Sequence, residues 1–192
     1  GNLVAVDTRW VNAGQTITKG VDIIAKASGR LPSARWSVVL DGTYLVEKKS
    51  RLIASSPFGA SEVGQFTRAG DLGLRWKHNL TGSLSSGPWT GTLVHQYRSG
   101  YTDAVLPGVA NGSVVPANWN PKVKAYQLWN ASVAWSGMKN LTLTAGVKNL
   151  LDKDPPFSAA YDSNTGAGSS WEPRVADPRG RSFTLQVDYK FF

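Results

Sequence analysis

Along most of the chain, apolar and polar side chains alternate with a period of two. A β-strand sends successive side chains to opposite faces, so each such segment has one oily and one wet side. The last segment is the clearest. Phe183, Leu185, Val187, Tyr189 and Phe191 share one face, and Ser182, Thr184, Gln186, Asp188 and Lys190 share the other. Seven earlier segments follow the same rule. Their apolar faces are Val4, Val6 and Trp10; Val21, Ile23, Ala25 and Ala27; Trp36, Val38, Leu40, Tyr44 and Val46; and Leu72, Leu74, Trp76, Leu80 and Leu84. The remaining three are Trp89, Leu93, Tyr97 and Tyr101; Trp129, Ala131, Val133 and Trp135; and Leu141, Leu143, Ala145 and Val147. The pattern predicts eight strands.

The turns between them predict an antiparallel meander. Ser85-Ser86-Gly87-Pro88 is a tight-turn signal. Centred between Ser86 and Gly87, it sets Leu84 against Trp89, Leu80 against Leu93 and Trp76 against Tyr97. The segment Ser136 to Asn140 likewise sets Trp135 against Leu141 and Val133 against Leu143. A one-residue slip in either hairpin would bring an oily face beside a wet one.

Connection lengths then alternate. Ser28 to Ala34, Ser85 to Pro88 and Ser136 to Asn140 are short. Lys48 to Gly70, Thr102 to Val123 and Leu151 to Gly180 are long and rich in Gly, Pro, Ser and Asn. Outer-membrane barrels pair short periplasmic turns with long extracellular loops. Aromatic residues mark both strand ends of the apolar face: Trp36, Trp89, Trp135 and Phe191 toward the short turns, and Trp10, Tyr44, Tyr101 and Phe183 toward the long ones. Two aromatic belts bounding an aliphatic band suit a bilayer. Core aromatics of a soluble β-sandwich binding module are the alternative.

Composition fits this picture. The 192 residues include 20 glycines and 8 tryptophans, only 18% are charged, and cysteine is absent. Without cysteine there is no disulfide framework and no thiolate chemistry. The net charge of +8 raises a nucleic-acid role, but the basic residues lie singly or in twos within alternating stretches and form no basic stripe. The wet face carries Arg9, Lys26, Arg35, Arg75, Lys77, Arg98, Lys148, Arg181 and Lys190 against Asp7, Asp22, Asp41, Asp71 and Asp188. Burying that imbalance in a tight eight-stranded interior would be costly. A wide hydrated lumen accommodates it, so Val4 to Val11 is not expected to pair with Phe183 to Phe191.

The stretch Gly146-Val147-Lys148-Asn149-Leu150-Leu151-Asp152-Lys153-Asp154-Pro155-Pro156-Phe157 resembles the penultimate-strand signature of TonB-dependent receptors. Asp177-Pro178-Arg179-Gly180-Arg181-Ser182-Phe183, leading to Tyr189-Lys190-Phe191-Phe192, resembles their last strand, and Gly20-Val21-Asp22 and Gly87-Pro88-Trp89 sit where such receptors carry similar residues. The resemblance implies an all-β antiparallel transmembrane barrel in the outer membrane of a Gram-negative bacterium, of which residues 1–192 form about eight C-terminal strands out of 22. It implies a receptor for TonB-dependent uptake of a scarce large nutrient such as a ferric siderophore, rather than an enzyme. The plug domain and the TonB-contacting segment are not found in this sequence. Implied partners are outer-membrane lipid and lipopolysaccharide, the barrel-assembly machinery, TonB through a region outside this sequence, and a small-molecule ligand such as a metal chelate. No cofactor and no nucleic acid are expected. Phe183, Tyr189, Phe191 and Phe192 would carry the assembly signal, with Phe191 on the apolar face and Phe192 on the other. A plug-free porin or a small structural or adhesive eight-stranded barrel is the alternative.

No catalytic constellation stands out. Asp152, Asp154, Asp162, Glu172 and Asp177 cluster in the last long loop without calcium-loop spacing, and beside Lys153, Arg174 and Arg179 they read as surface charge. His78 and His95 fall directly opposite one another in the expected register, on the apolar face. Two imidazoles could share a metal, but no third ligand accompanies them. The loop residues suited to a planar or anionic ligand are Phe66, Arg68, Trp119, Trp171 and Arg174, by aromatic stacking and guanidinium pairing.

Overall fold

The computed structural model describes residues 14–67, 71–105, 107–113, 115, 120–159 and 170–191. Seven long strands form one antiparallel sheet: β1 (Gln15–Leu31), β2 (Ala34–Arg51), β3 (Trp76–Ser86), β4 (Trp89–Arg98), β7 (Tyr126–Met138), β8 (Leu141–Lys148) and β9 (Ser182–Tyr189). They lie side by side in chain order, with β1 and β9 at the edges of an open sheet. A two-stranded ribbon, β5 (Tyr101–Thr102) with β6 (Lys122–Val123), and one short helix, α1 (Pro107–Ala110), lie in the connection between β4 and β7. The expected first strand around Val4, Val6 and Trp10, and with it the pairing of Val4 to Val11, lies outside the described residues.

The three short connections are tighter than expected, only Pro32-Ser33, Gly87-Pro88 and Lys139-Asn140. In the second, Gly87 has φ +52° and Pro88 is fixed at negative φ by its ring. That is the demand of a type II′ hairpin turn, which takes Gly at its first central position. The turn therefore centres between Gly87 and Pro88, one residue later than the sequence suggested. Leu80 pairs with His95 and His78 with Tyr97, a shift of two residues along the ladder. In the third hairpin Trp135 pairs with Leu143 and Val133 with Ala145, again a two-residue shift, with an irregularity between Trp135 and Met138. Both shifts are even, so every side chain stays on its expected face.

The apolar face is accordingly bare. Leu93, Val133, Phe183, Leu185 and Val187 are all exposed, from 43% for Leu93 to 78% for Leu185, although they are aliphatic or aromatic. Trp89 and Trp135 meet across β4 and β7 with ring centroids 6.3 Å apart, and Tyr189 meets Phe191 edge-on at 5.0 Å. At the other end Tyr44, Trp76, Tyr97 and Trp129 form the opposing belt. From Trp89 to Tyr97 the extended chain spans about 27 Å before tilt, close to the ~25 Å apolar band of outer-membrane barrels. Glycine lets rings lie flat on this face: a Cβ at Gly42 would stand 2.5 Å from the Trp76 ring, and one at Gly29 2.8 Å from Trp36.

Four expected apolar-face residues are corrected. Leu72 and Tyr101, 1% and 4% exposed, leave the sheet and enter a small core among the long loops, together with Val123, Tyr126, Val175 and Ala176. Leu74 precedes β3 and packs against the same core. Val46 is the fourth. Lys19 pairs with Glu47 but Gly20 pairs with Leu45, so Val46 is the extra residue of a bulge. Beyond the bulge, Lys48 and Ser50 turn to the polar side. There Lys48 Nζ donates to the Asp71 carbonyl and the Ser50 hydroxyl donates to Glu62.

Candidate functional site: a polar wall under a folded loop cap

The polar face of β3, β4 and β7 is a ladder of amides. Gln96 Nε2 donates to Asn79 Oδ1 at 3.4 Å, and Asn130 Nδ2 donates to Gln96 Oε1 at 3.3 Å. Asn130 Oδ1 then accepts the backbone N–H of Asn149 at 2.9 Å. Asn149 is buried at φ +52°, and its side chain ties both the N–H and the carbonyl of Lys153. The wall of the sheet is thus continuous with the root of the last long loop.

One row nearer the long loops, Asp22, Thr43, Lys77, Arg98 and Tyr126 lie side by side across five strands. The Thr43 hydroxyl donates to Asp22, and the Tyr126 hydroxyl donates to the Asp177 carbonyl. Two hollows flank Arg98. One of about 300 Å³ is lined by Asp41, Thr43, Lys77, Asn79 and Gln96. The other, about 220 Å³, lies between Gln96, Tyr126 and Leu128 on the sheet and Pro173 to Asp177 in the loop.

Over this end the long loops fold into a cap. The Thr102 N–H bonds Gly64 and the Phe66 N–H bonds Thr102, joining the first loop to the second. Asp103, 7% exposed, accepts from the Ser158 hydroxyl and the Ala159 N–H, joining the second to the third. Arg174 bonds Glu172 through Nε and Nη2, donates to the Thr67 carbonyl, and lies 5.3 Å from the Phe66 ring centroid. Burial alone would push Glu172 up, but the guanidinium and backbone N–H of Arg174 hold it below the ordinary glutamate value. Burial pushes the Tyr101 phenol up to about 12.

Of the loop residues expected to meet a ligand, Phe66 and Arg174 come together within the cap. Trp171 is half-buried one residue before Glu172. Arg68 and Trp119 lie outside the described residues. The acidic cluster of the last loop is not uniformly surface charge: Glu172 is 6% exposed. Asp152 Oδ1 accepts the Arg181 N–H and Asp177 is paired with Arg179, while Asp162 lies outside the described residues. Of the assembly residues, Phe183, Tyr189 and Phe191 sit exposed on the apolar edge, and Phe192 lies outside the description. Asn79, Gln96, Asn130 and Tyr126 are site residues that the sequence pattern does not single out. The polar parity of their strands was the available signal, but nothing in the alternation distinguishes an amide ladder from solvated polar side chains.

His78 and His95 are diagonal rather than directly opposite, because of the two-residue shift. Their rings are still 5.2 Å apart, with His78 Nε2 3.3 Å from His95 Nδ1. Among the described residues, no group of three or more His, Cys, Asp or Glu side chains converges on a metal position.

No curated protein matches the sequence. A solved structure named "Copper transporter OprC" aligns at 17% identity with a TM-score of 0.49, covering 93% of this chain and 23% of that one. The chain therefore spans about a quarter of that transporter's length. The family model described as "TonB dependent receptor-like, beta-barrel" matches residues 1–150. That match covers most of the sequence, and the antiparallel meander with one bare apolar face is the architecture such a barrel requires: the chain belongs to the TonB-dependent receptor-like β-barrel family.

Proposed function

We propose that this chain forms part of the wall and mouth of an outer-membrane transporter that takes up a scarce, large nutrient by the TonB-dependent route, most specifically a ferric siderophore. One observation carries this reading. A hydrogen-bonded polar wall runs from the sheet interior to a packed cap made from all three long loops, while the opposite face of the same strands is apolar and bare. A barrel wall has to separate lipid from water in this way. The ordered cap suits selective capture of a ligand, since an open pore needs no core of buried loop residues at its mouth.

Within this reading Phe66, Trp171 and Arg174 serve the ligand from the extracellular side, and Arg68 and Trp119, outside the described residues, are assigned the same role. The same reading has the chain contact outer-membrane lipid and lipopolysaccharide on its apolar face. The barrel-assembly machinery reads its terminal aromatics, and TonB acts through a segment beyond these residues.

Uptake in the native host tests it. Cells with the intact gene and cells lacking it are compared for accumulation of a panel of labelled ferric chelates, with and without an uncoupler of the proton-motive force. Energy-dependent accumulation lost with the gene is expected for at least one chelate. Accumulation that ignores the uncoupler would favour a porin, and equal accumulation of every chelate would remove iron chelates as the cargo.

A further inference from the structure

Lys77 and Arg98 are direct cross-strand partners on the polar face of β3 and β4. Directly opposed residues on one face hold their Cβ atoms about 5 Å apart, and like charges so placed destabilise a sheet. Here the adjacent positions are Thr43 on β2 and Tyr126 on β7, both neutral. The nearby acids are otherwise engaged or set apart. Asp22 accepts from Thr43, and Asp177 is ion-paired with Arg179 at 2.5 Å. Asp41, which lines the same hollow, makes no ion pair with either cation. Among the described residues, neither Lys77 nor Arg98 reaches a carboxylate.

The surroundings give this repulsion a use. The two cations line a hollow of about 300 Å³, and Arg98 also lines the 220 Å³ hollow beneath the loop cap. Arg98 is half-buried and Lys77 is exposed, and both line the one hollow, a planar fork beside a flexible ammonium. Thr43, Asn79 and Gln96 around them supply neutral hydroxyl and amide groups. That combination fits a solute dense in oxygen atoms and carrying negative charge.

We propose that Lys77 and Arg98 form an anion-binding subsite, just inside the cap, for the carboxylate groups of a soluble polycarboxylate or its metal chelate. The inference deepens the transport reading and rests on it for the identity of the ligand as cargo. The paired guanidinium and ammonium hold two oxygens of the anion, and the cap loops close over the remainder. An anion between them removes the cross-strand repulsion, so binding also stiffens the mouth of β3 and β4.

The test uses the intact receptor purified in detergent, where no energy coupling is needed, with citrate and ferric citrate as probes and a neutral ferric trihydroxamate as the control. Calorimetry should detect binding of ferric citrate that weakens as salt is raised. Lys77→Met and Arg98→Met should each weaken it roughly tenfold, the scale of one charge-assisted hydrogen bond. Arg35→Met, at the short-turn end of β2, should leave it unchanged, and the neutral chelate should not respond to any of the three. The salt dependence of the wild-type protein keeps the test informative if a variant folds poorly. Wild-type protein that binds neither citrate nor ferric citrate would overturn the proposal. So would Lys77 and Arg98 variants that bind normally, or ones that instead lower the melting temperature without citrate, as expected if an acidic segment of the receptor fills the subsite. Because binding is read without transport, failure of uptake and failure of the subsite remain separate results.

Discussion

The indole Nε1 of Trp76 donates to Nδ1 of His78 at 2.8 Å, and this one bond sets the direction of those that follow it on the apolar face. An indole nitrogen can only donate, so Nδ1 of His78 must be the acceptor. A neutral His78 then carries its proton on Nε2 and donates to His95 Nδ1, 3.3 Å away. His95 in turn carries its proton on Nε2 and donates to Gln127 Oε1 at 3.2 Å. The chain lets four polar groups sit in a belt of rings at a bilayer boundary, each with a partner. His78 stacks on Tyr97 and His95 on Trp129 as well.

Replacing His78 with Leu should break this chain at its start. The Trp76 indole proton loses its acceptor, and its resonance in the purified receptor should move upfield and exchange faster. His95→Leu should leave that resonance nearly unchanged, because Trp76 does not touch His95 directly. Each variant should cost about 1 kcal/mol of stability. Identical effects of the two on Trp76 would mean that the bonds do not run in this order.

Two glycines on the apolar face should respond oppositely to alanine. At Gly42 the new methyl would meet the Trp76 ring at 2.5 Å and the His78 Cβ at 3.1 Å, and neither can yield without disturbing the chain of bonds just described. A loss of about 1–3 kcal/mol is expected, as for other overpacked sites. Gly82 has nothing within 4 Å of an added Cβ. There Gly→Ala should be neutral or slightly stabilising, since glycine weakens a strand interior. Denaturant midpoints of the folded barrel in detergent micelles decide the comparison.

The Glu172–Arg174 pair makes the cap acid-sensitive, with a definite sign. The glutamate is held below its ordinary value in the folded cap, so its contribution is present above the unfolded value, about 4.3, and is lost as pH falls through the lower folded value. Protease protection of the loop around Trp171 to Ala176 should therefore persist through mild acid and fail only in strong acid. Glu172→Gln should weaken protection from mild acid upward, since it removes the Glu172–Arg174 ion pair, and should match the wild type in strong acid, where Glu172 is itself neutral. A cap that opens near neutral pH would contradict this assignment.

Spin labels should separate the two faces residue by residue. Labels at Leu93, Val133 and Leu185 should collide with oxygen dissolved in the bilayer, whereas labels at Thr184 and Gln186 should collide with a water-soluble reagent. A label at Leu74 should report neither strongly, because that residue packs against the loop core and not on the sheet. Equal lipid protection at Leu93 and Thr184 would argue for a second sheet covering the apolar face.

The sequence by itself determined which way each side chain of the seven described long strands points. Period-two alternation reports that parity directly, and it holds from Val21 to Val187 except at the Val46 bulge. It also determined the meander and the division into short and long connections. It did not determine how far each strand slides past its neighbour, because a slip of two residues leaves every face as it was. Only the backbone demands of the turn settled that: Gly87 takes the positive φ of the first central position and Pro88 cannot. The same blindness hid the diagonal contact of His78 with His95. The cap was hidden for a different reason. Leu72 and Tyr101 continue the alternation of their strands, yet they are buried because three loops distant in sequence converge on them. Their burial, the pairing of Glu172 with Arg174, and the unanswered charges of Lys77 and Arg98 depend on which segments meet at one end of the sheet, and that was decided by tertiary structure.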